Sequence, residues 1–368
     1  LEGEAPWTGW RPVLLRDRQP GPRPRVRLGG DMGDVCLLYW TDTHVHTTLS
    51  TDAEGEVDEL IAYARDKAQL DCLALQDNDR HVISLMSSEY ELSRAYARHF
   101  HEDGSFVMVP GFEWTCKKPR DRVRYHRSVL ARDESLPLIR YTEVDGDPMD
   151  ALTGLAEEHG ALLHAHHENW VLTDSPAETN VEICSGWRVH MLDPQYLSKV
   201  HGVLKSGQRI GFIGASDNHR RNPGVGGGLT GVYARELTRE AILEAFRAHR
   251  CFATDGSRLV LKLWVNDAFI GEETSTDGAP EVRWEATFTE PPATVRLIRD
   301  GLCIHTWPVA GFEGSGCWTD TDCRPGKHFY YLAAEQASPW RHYPSTVAVA
   351  RGPRGWTSPI WVERKDKA

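Results

Sequence analysis

The stretch Asp-Thr-His-Val-His at 42–46 follows an apolar run at 36–40, which is typical of a buried strand. Residues alternate faces along an extended chain, so Asp42, His44 and His46 are expected to point the same way. Two imidazoles and a carboxylate at the end of a strand make half of a metal site. The motif alone is weak, because histidines also occur in cores, but similar clusters recur at other strand ends.

Between residues 36 and 256, strand-like apolar runs alternate with helical patterns. Val57, Leu60, Ile61 and Ala64 have the i, i+3, i+4, i+7 spacing of a core-facing helix. Thr238 is placed to cap a later helix. Further strands are predicted at 71–75, 106–109, 161–167, 181–184 and 209–215, and further helices at 89–100, 149–159 and 195–205. The alternation predicts an α/β barrel of parallel strands.

Function in such barrels collects at the carboxyl ends of the strands. The polar residues that end or follow the predicted strands here are Asp42, His44, His46, Asp52, Asp77, Asn78, Glu113, His126, His166, Asp217 and His219. This mixture of nitrogen and carboxylate ligands suits zinc, manganese or iron. The set is large enough for two ions or three, and Glu113 is the natural bridging carboxylate.

The sequence changes in character after residue 256. Short β-type runs at 259–265, 281–288, 294–298, 329–333 and 346–350 are separated by Gly, Pro, Asp and Thr turns. This pattern predicts a C-terminal antiparallel β-sandwich at 257–368. Residues 1–35, which are rich in Pro, Gly and Arg, are expected to form an extended arm.

Charge and composition argue against some classes of function. The formal net charge of −11 disfavours nucleic-acid binding, which depends on phosphate neutralisation. No apolar stretch approaches the roughly 20 residues of a membrane helix, and no signal peptide is expected. The eight cysteines form no Cys-x-x-Cys pair, which favours a reduced, cytoplasmic setting.

Together these motifs resemble the PHP (polymerase and histidinol phosphatase) family of metal-dependent phosphoesterases. The matching pieces are the sequence at 42–50, Leu-Gln-Asp-Asn at 75–78, Gly-Phe-Glu at 111–113, His126, the histidines at 164–167 and Ser-Asp-Asn-His at 216–219. The sequence at 231–256 and the β-rich tail resemble an uncharacterised subgroup. The resemblance implies a distorted (β/α)7 barrel with two or three divalent cations. It also implies hydrolysis of a small, anionic, phosphorylated substrate through a metal-bound hydroxide.

The resemblance also assigns ligands by position. His44, His46, Glu113 and Asp217 would hold a first ion, and Glu113, His126 and His166 a second, with His164 or His167 as substitutes for His166. Asp52, the position of Asn78, and His219 would hold a third. The family usually has histidine where this chain has Asn78, and the neutral oxygen of Asn is a weaker transition-metal ligand. The third site is therefore expected to be empty, water-rich or occupied by a harder ion such as Mg²⁺ or Mn²⁺, with His81 as a substitute ligand.

Other residues are candidates for substrate contact. Arg220 and Arg221 directly follow His219, and six basic residues lie between 117 and 127; both groups suit an anionic substrate. The glycine-rich stretch at 223–228 suits a lid or an ordinary loop. Trp114, Trp170 and Trp187 suit either an aromatic wall or loop packing. Glu182 is either a further ligand or a satisfied polar group.

The leading hypothesis is a hydrolase in which Glu113, Asp217 and Arg220 are the catalytic residues. A metallohydrolase of an amide, lactone or ester is an alternative, because the same nucleophile attacks carbonyl carbon. The other alternative is a metal-stabilised binding protein without enzymatic activity. The substrate, the metal and the oligomeric state are not determined by the sequence.

Overall fold

The computed structural model describes residues 23–28, 34–79, 85–117, 124–168, 170–225, 227–337 and 354–366. Most of the predicted N-terminal arm lies outside these residues. So do His81, the basic residues at 118–123 and the strand predicted at 346–350. Among the described residues, no helix has the length and apolar character needed to cross a bilayer.

Strands dominate the chain. In chain order they are β1 (Arg25–Arg27), β2 (Val35–Val45), β3 (Cys72–Leu75), β4 (Val107–Val109), β5 (Gly111–Lys117), β6 (Arg124–Leu130), β7 (Leu162–Ala165), β8 (Glu178–Cys184), β9 (Gly211–Gly214), β10 (Leu229–Ala234), β11 (Cys251–Thr254), β12 (Val260–Val265), β13 (Ala268–Phe269), β14 (Glu273–Thr276), β15 (Glu281–Thr287), β16 (Ala293–Arg299), β17 (Leu302–Val309), β18 (Glu313–Thr319), β19 (Gly326–Gln336), β20 (Arg354–Thr357) and β21 (Ile360–Arg364). The helices are α1 (Val57–Ala62), α2 (Ser87–Phe100), α3 (Pro148–His159), α4 (Pro194–Lys205) and α5 (Arg239–Arg247). A π-helical turn, Tyr63–Lys67, directly continues α1.

Side-chain caps fix where three helices begin. Asp147 accepts a hydrogen bond from the Met149 amide before α3, and Asp193 accepts one from Gln195 before α4. A proline opens each of these two helices, where its missing N–H costs nothing. The predicted cap by Thr238 is confirmed, since its hydroxyl accepts from the amide of Ala241 in α5.

The predicted α/β character is confirmed, but a seven-stranded barrel of parallel strands is not. Apart from β1, which pairs with β2, the strands that precede Gly256 divide between a five-stranded sheet, β5-β6-β7-β8-β9, and the β4-β3-β2-β10-β11 part of a larger sheet. Four pairs are parallel: β2–β3, β3–β4, β7–β8 and β8–β9. The pairs β5–β6, β6–β7, β2–β10 and β10–β11 are antiparallel. Only six residues separate β5 from β6, a length that permits hairpin-like pairing, whereas α5 lies between β10 and β11, which nevertheless pair antiparallel.

The C-terminal strands form two layers around one apolar core. The order β13-β12-β15-β18 makes one sheet, and β16, β17, β19, β20, β21 and β14 extend the larger sheet. Leu261 and Trp284 from the first layer share a buried cluster with Val295 and Leu332 from the second. All pairs in these strands are antiparallel except β14–β21, which is parallel.

The larger sheet continues past Gly256 into the C-terminal strands. β11 pairs with β20 through Phe252–Thr357, Ala253–Trp356 and Thr254–Gly355. The side chain of Ser358, just after β20, accepts a hydrogen bond from the Phe212 amide of β9 at 2.8 Å. The boundary predicted at residue 256 stays a prediction, and the sheet crosses it without interruption.

Candidate metal centre

Backbone hydrogen bonds join the end of β2 to the loop that follows β9. The amide of His46 donates to the carbonyl of Asn218 at 2.9 Å, and the amide of Asn218 donates to the carbonyl of His44 at 3.3 Å. His44 and His46 therefore lie beside Asp217 and His219, although the two segments are far apart along the chain.

A second junction places Glu113 next to the same group. The amide of Glu113 donates to the carbonyl of Asp77 at 3.2 Å, and the amide of Asp79 donates to the carbonyl of Glu113 at 3.0 Å. This pairs the start of β5 with the segment after β3. Glu113 thereby enters the space beside His44 and His46.

The first group of candidate ligands is His44, His46 and Asp217, all of them buried. Asp217 Oδ1 lies 3.2 Å from His46 Nε2 and 3.5 Å from His44 Nε2. Glu113 Oε2 lies 3.6 Å and 4.0 Å from the same two nitrogens. The four side chains thus direct two nitrogens and two oxygens into one small volume.

The second group forms around the other oxygen of Glu113. Oε1 lies 2.9 Å from His126 Nδ1 and 3.0 Å from His166 Nε2, and His167 completes the group. His164 does not join it, because its Nε2 contacts the side-chain amide of Asn180 at 3.2 Å. Of the three histidines left open by the sequence, His166 and His167 therefore lie with Glu113.

The residues expected at a third position are also neighbours. His219 Nε2 lies 3.6 Å from Asp52 Oδ1, and Asn78 Nδ2 lies 3.2 Å from the same oxygen. The ring of His219 is 4.1 Å from that of His46, centroid to centroid. The structure therefore brings all nine predicted ligands into one region, and their role as ligands stays a prediction.

The buried carboxylates of the cluster favour positive charge among the histidines. Burial alone would lower the pKa of His44, but the carboxylates of Asp217, Glu182 and Glu113 outweigh it and raise that pKa to about 10. Burial would likewise raise the pKa of Asp217, yet His44 and His46 hold it well below its usual range. In the metal-free protein, a proton on His44 partly neutralises the negative charge of these carboxylates. A bound cation would neutralise the same charge.

The residues present fit divalent cations. Nε2 of His44 and Nε2 of His46 are buried and have no hydrogen-bond partner among the described residues, although both point at carboxylates. A buried polar atom without a partner is costly unless something else satisfies it. Imidazole nitrogens with carboxylate oxygens are the donor set of zinc, manganese and iron sites. These residues could therefore hold two cations that share Glu113.

Three further side chains support the cluster from behind. Glu182 Oε2 lies 2.9 Å from His44 Nδ1, and Ser50 Oγ lies 3.2 Å from His46 Nδ1. Asp77 does not join the ligands, because it accepts hydrogen bonds from Thr47 and Ser50. Ser50 was not singled out from the sequence. For Glu182, the available signal was an acidic residue inside the apolar strand 181–184.

Asp42 also has a role behind the ligands. Its carboxylate accepts from the amide of Ser216 at 2.9 Å and from the amide of Gly224 at 2.9 Å. This ties the end of β2 to the start of the glycine-rich loop. A Cβ at Gly227 would lie 2.3 Å from the Gly186 nitrogen, and one at Gly228 would lie 2.4 Å from the Cys184 carbonyl oxygen. The described part of the loop packs closely on its surroundings, which favours an ordinary loop over a lid.

Two candidate ligands have left-handed backbone conformations. Asp217 has φ of 48° and His167 has φ of 63°. Residues other than glycine rarely adopt this region, and such conformations concentrate at functional sites. The sequence at 216–219 holds no glycine that would have signalled this turn.

The predicted substrate-binding cations lie in different settings. Arg220 is mostly exposed and pairs with Glu54 at 2.9 Å, and Arg221 lies 3.7 Å from Glu59. Arg127, one of the six basic residues at 117–127, is fully buried and pairs with Glu178. It supports the fold rather than contacting a substrate.

The three tryptophans singled out from the sequence also differ in their exposure to solvent. Trp114 and Trp170 are fully buried, so they pack the interior. Trp187 is 43% exposed, donates from Nε1 to the Asp217 carbonyl at 3.1 Å and packs its ring edge-on to His219. Only Trp187 of the three therefore lies where a substrate could touch it.

Comparisons with known proteins identify relatives of unknown function. Residues 193–283 match a family described as "Protein of unknown function (DUF3604)". An uncharacterized protein of Chlamydia muridarum is 22% identical over 377 residues, which cover 89% of this chain. One of Chlamydia pneumoniae is 24% identical over 366 residues, again 89% of this chain. The chain spans 57% of the length of each of these two relatives.

One solved structure is similar over most of the chain. It is described as a two-domain protein from Bacteroides vulgatus containing a predicted PHP-like metal-dependent phosphoesterase. The likeness covers 92% of this chain and 100% of that one, at a TM-score of 0.46 and 15% identity.

Proposed function

We propose that this protein is a metal-dependent hydrolase that cleaves a small phosphate ester at a centre of two divalent cations. The observation that carries the proposal is the position of Glu113. One of its carboxylate oxygens faces His126 and His166, and the other faces His44 and His46. A single carboxylate between two sets of imidazoles is an arrangement that two divalent cations could share.

The candidate ligands lie close together in the protein without substrate. When bound, two divalent cations supply an acidified water nucleophile and neutralise charge on the phosphoryl oxygens. Glu113 and Asp217 would supply the negative charge that holds the cations, and the histidines would supply neutral nitrogen donors. Burial of these groups excludes bulk water, which strengthens each electrostatic contact.

The third position is proposed as a weaker cation site. Asp52 and His219 offer one oxygen and one nitrogen, and Asn78 offers a neutral oxygen or an N–H donor. This set suits a hard, partly hydrated ion such as Mg²⁺. Two cations that share Glu113 and a labile third are therefore expected per chain.

Hydrolysis of a carbonyl compound is the second candidate, and one observation favours it. Arg220 and Arg221, the cations placed by sequence to hold a phosphate, pair with Glu54 and Glu59 on the surface. A neutral amide, lactone or ester needs no such cation. The same activated water attacks carbonyl carbon.

The test compares metal content and turnover. Chelated protein reloaded with Zn²⁺ or Mn²⁺ is assayed against aryl phosphate monoesters, phosphodiesters and carboxylic esters. Glu113→Gln keeps the size of the side chain but removes its charge, so it should lose bound metal and turnover together. Turnover of carboxylic esters alone would instead support the second candidate.

A matched control removes a carboxylate elsewhere. Glu281 is exposed on β15, so Glu281→Gln should keep the wild-type metal content and turnover. Full metal loading without turnover on any of these esters would contradict the proposed activity and leave a metal-stabilised binding protein.

A further inference from the structure

The two groups of candidate ligands differ in the hydrogen bonds made by the histidine nitrogens that face away from the proposed cations. A histidine that binds a cation through one ring nitrogen usually donates a hydrogen bond through the other, which fixes its tautomer and orientation. The four buried histidines that face Glu113 can be compared on this point. They are His44, His46, His126 and His166.

His44 has a charged partner behind it. Glu182, buried on β8, places Oε2 at 2.9 Å from His44 Nδ1, and its strand is held by the Tyr196 hydroxyl, which donates to the Glu182 carbonyl at 2.9 Å. When Glu182 is ionised its carboxylate only accepts hydrogen bonds, and the 2.9 Å contact then requires a proton on His44 Nδ1. Its Nε2 is thereby left to face Asp217 and Glu113 with a lone pair once a cation displaces the other proton.

His46 has a neutral partner that leads to the same result. Ser50 donates its one hydroxyl proton to Asp77 Oδ1 at 2.7 Å and accepts from the Asn78 amide at 3.1 Å. Its remaining contact, at 3.2 Å to His46 Nδ1, must therefore be an accepted one. The Asn78 side-chain contact to the same nitrogen, at 3.5 Å, is too long to compete.

His126 and His166 lack such partners. The ring nitrogens that face away from Glu113 are His126 Nε2 and His166 Nδ1. Both are buried, and neither has a hydrogen-bond partner among the described residues. In the metal-free protein the only described hydrogen bonds of the two rings are those to Glu113 Oε1, which place protons on the nitrogens that would face a cation. No partner on the outer side holds these two rings in place, so they must reorganise when a cation replaces those contacts.

We propose that Glu182 is a positioning residue, which holds His44 with Nε2 toward the cation and makes the His44–His46–Asp217 position the tighter of the two. The inference rests on the proposed metal centre and does not depend on which bond is hydrolysed. A preorganised ligand set loses less free energy to ordering when the cation binds. Loss of an outer partner of a metal-binding histidine typically lowers metal affinity about 10–100-fold.

The experiment titrates full-length, chelated protein with Zn²⁺ by isothermal calorimetry. The wild type should show a tight step and a weaker step. Glu182→Ala should weaken the tight step about 10–100-fold and leave the weaker step unchanged. Glu182→Gln keeps an acceptor oxygen but not the charge. Its Zn²⁺ affinity in the tight step should therefore fall less than that of Glu182→Ala.

A second readout follows the tautomer itself. In a ¹H–¹⁵N spectrum of the Zn²⁺-loaded wild type, His44 should show a slowly exchanging Nδ1 proton that disappears in Glu182→Ala. Asp255→Asn is the matched control, because it also removes a buried carboxylate but contacts none of the four histidines. It should leave both Zn²⁺ steps and the His44 signal unchanged.

The results separate this inference from the proposed function. An unchanged tight step in both Glu182 variants, or equal weakening of both steps, overturns it. If circular dichroism shows that Glu182→Ala is unfolded, the glutamine variant decides, and an unchanged tight step in that variant overturns the inference. The expected Zn²⁺ pattern in a protein that hydrolyses no ester would leave the role of Glu182 intact while removing the proposed activity. A wild type that binds no Zn²⁺ removes both.

Discussion

Asn78 donates a hydrogen bond from Nδ2 to Asp52 Oδ1 across 3.2 Å, and His219 Nε2 lies 3.6 Å from the same oxygen. Asp52 Oδ1 thus lies between His219 and an amide N–H, which points a proton toward Asp52 where an imidazole could offer a lone pair to a cation. The proposed weakness of the third position therefore rests on the Asn78 side chain.

Asn78→His should raise the number of bound metal ions per chain by one. Histidine restores a nitrogen donor beside Asp52 and His219, and imidazole binds transition metals more strongly than an amide oxygen does. Inductively coupled plasma mass spectrometry after dialysis against Zn²⁺ measures the change.

The matched control is Asn78→Ala, which removes the amide without adding a ligand and should not raise the metal content. Equal metal content in the wild type and in Asn78→His would place Asn78 outside any cation site.

Arg220→Ala should raise KM for a phosphate ester about 10–100-fold and leave kcat nearly unchanged. The expected size follows from the roughly 1.5–3 kcal/mol of a hydrogen bond to a charged group. For this role, Arg220 must leave Glu54, its present partner, when the substrate binds. Steady-state kinetics on an aryl phosphate gives both constants.

Arg235→Ala is the matched control, since Arg235 is also exposed, pairs with the Asp34 carboxylate at 2.8 Å and has no proposed contact with substrate, so KM should stay unchanged. An unchanged KM in Arg220→Ala would assign Arg220 to a surface ion pair, which typically contributes about 0–1 kcal/mol.

The site was more predictable from the sequence than the sheet topology. Candidate ligands at strand ends can be recognised because His, Asp and Glu are rare next to apolar runs. His44, His46, Glu113 and Asp217 were proposed as ligands in this way, and the structure brings them together. Their role as ligands stays a prediction. Strand pairing depends on contacts between distant segments, so the antiparallel pairs of β5 with β6 and β10 with β11 were not anticipated.

Strands with mixed composition were missed for a different reason. β17 contains Cys303 and Pro308, and β18 contains Gly314 and Gly316, so neither shows the Val- and Ile-rich alternation of a strand. A Cβ at Gly316 would come within 2.7 Å of Trp284 Nε1. Close packing on an aromatic ring therefore selects glycine there, which local propensity does not reveal.

Asp255 should make folding stability depend on pH. Burial raises the pKa of its carboxyl to about 7, although Arg354 opposes the shift. Because the folded state holds this proton more tightly than the unfolded chain, the contribution is greatest at low pH. It declines as pH rises from about 4 to 7, at up to about 1.4 kcal/mol per pH unit.

Urea unfolding of Asp255→Asn measures this contribution. The variant should show a smaller loss of unfolding free energy than the wild type between pH 5 and pH 8. Asp322→Asn makes the same charge change at an exposed position and should follow the wild type. Parallel pH profiles for the wild type and Asp255→Asn would remove Asp255 as a source of the dependence.

Thr238→Ala should lower the free energy of unfolding by about 1 kcal/mol. The Thr238 hydroxyl accepts from the amide of Ala241, and its loss leaves a donor at the start of α5 without a side-chain cap. Thermal or urea unfolding measures the change. Thr238→Ser keeps the hydroxyl and should stay near wild type, whereas equal losses in both variants would point to lost methyl packing.

The hydrogen bonds between β11 and β20 bear on any attempt to produce the chain only as far as Gly256. Ending the polypeptide there would strip β11 of its neighbour and expose a row of buried amides and carbonyls. Such an open strand edge is a template for intermolecular pairing. A shortened gene product is therefore expected to accumulate as insoluble aggregate, so trials of recombinant expression should retain the chain through Asp366.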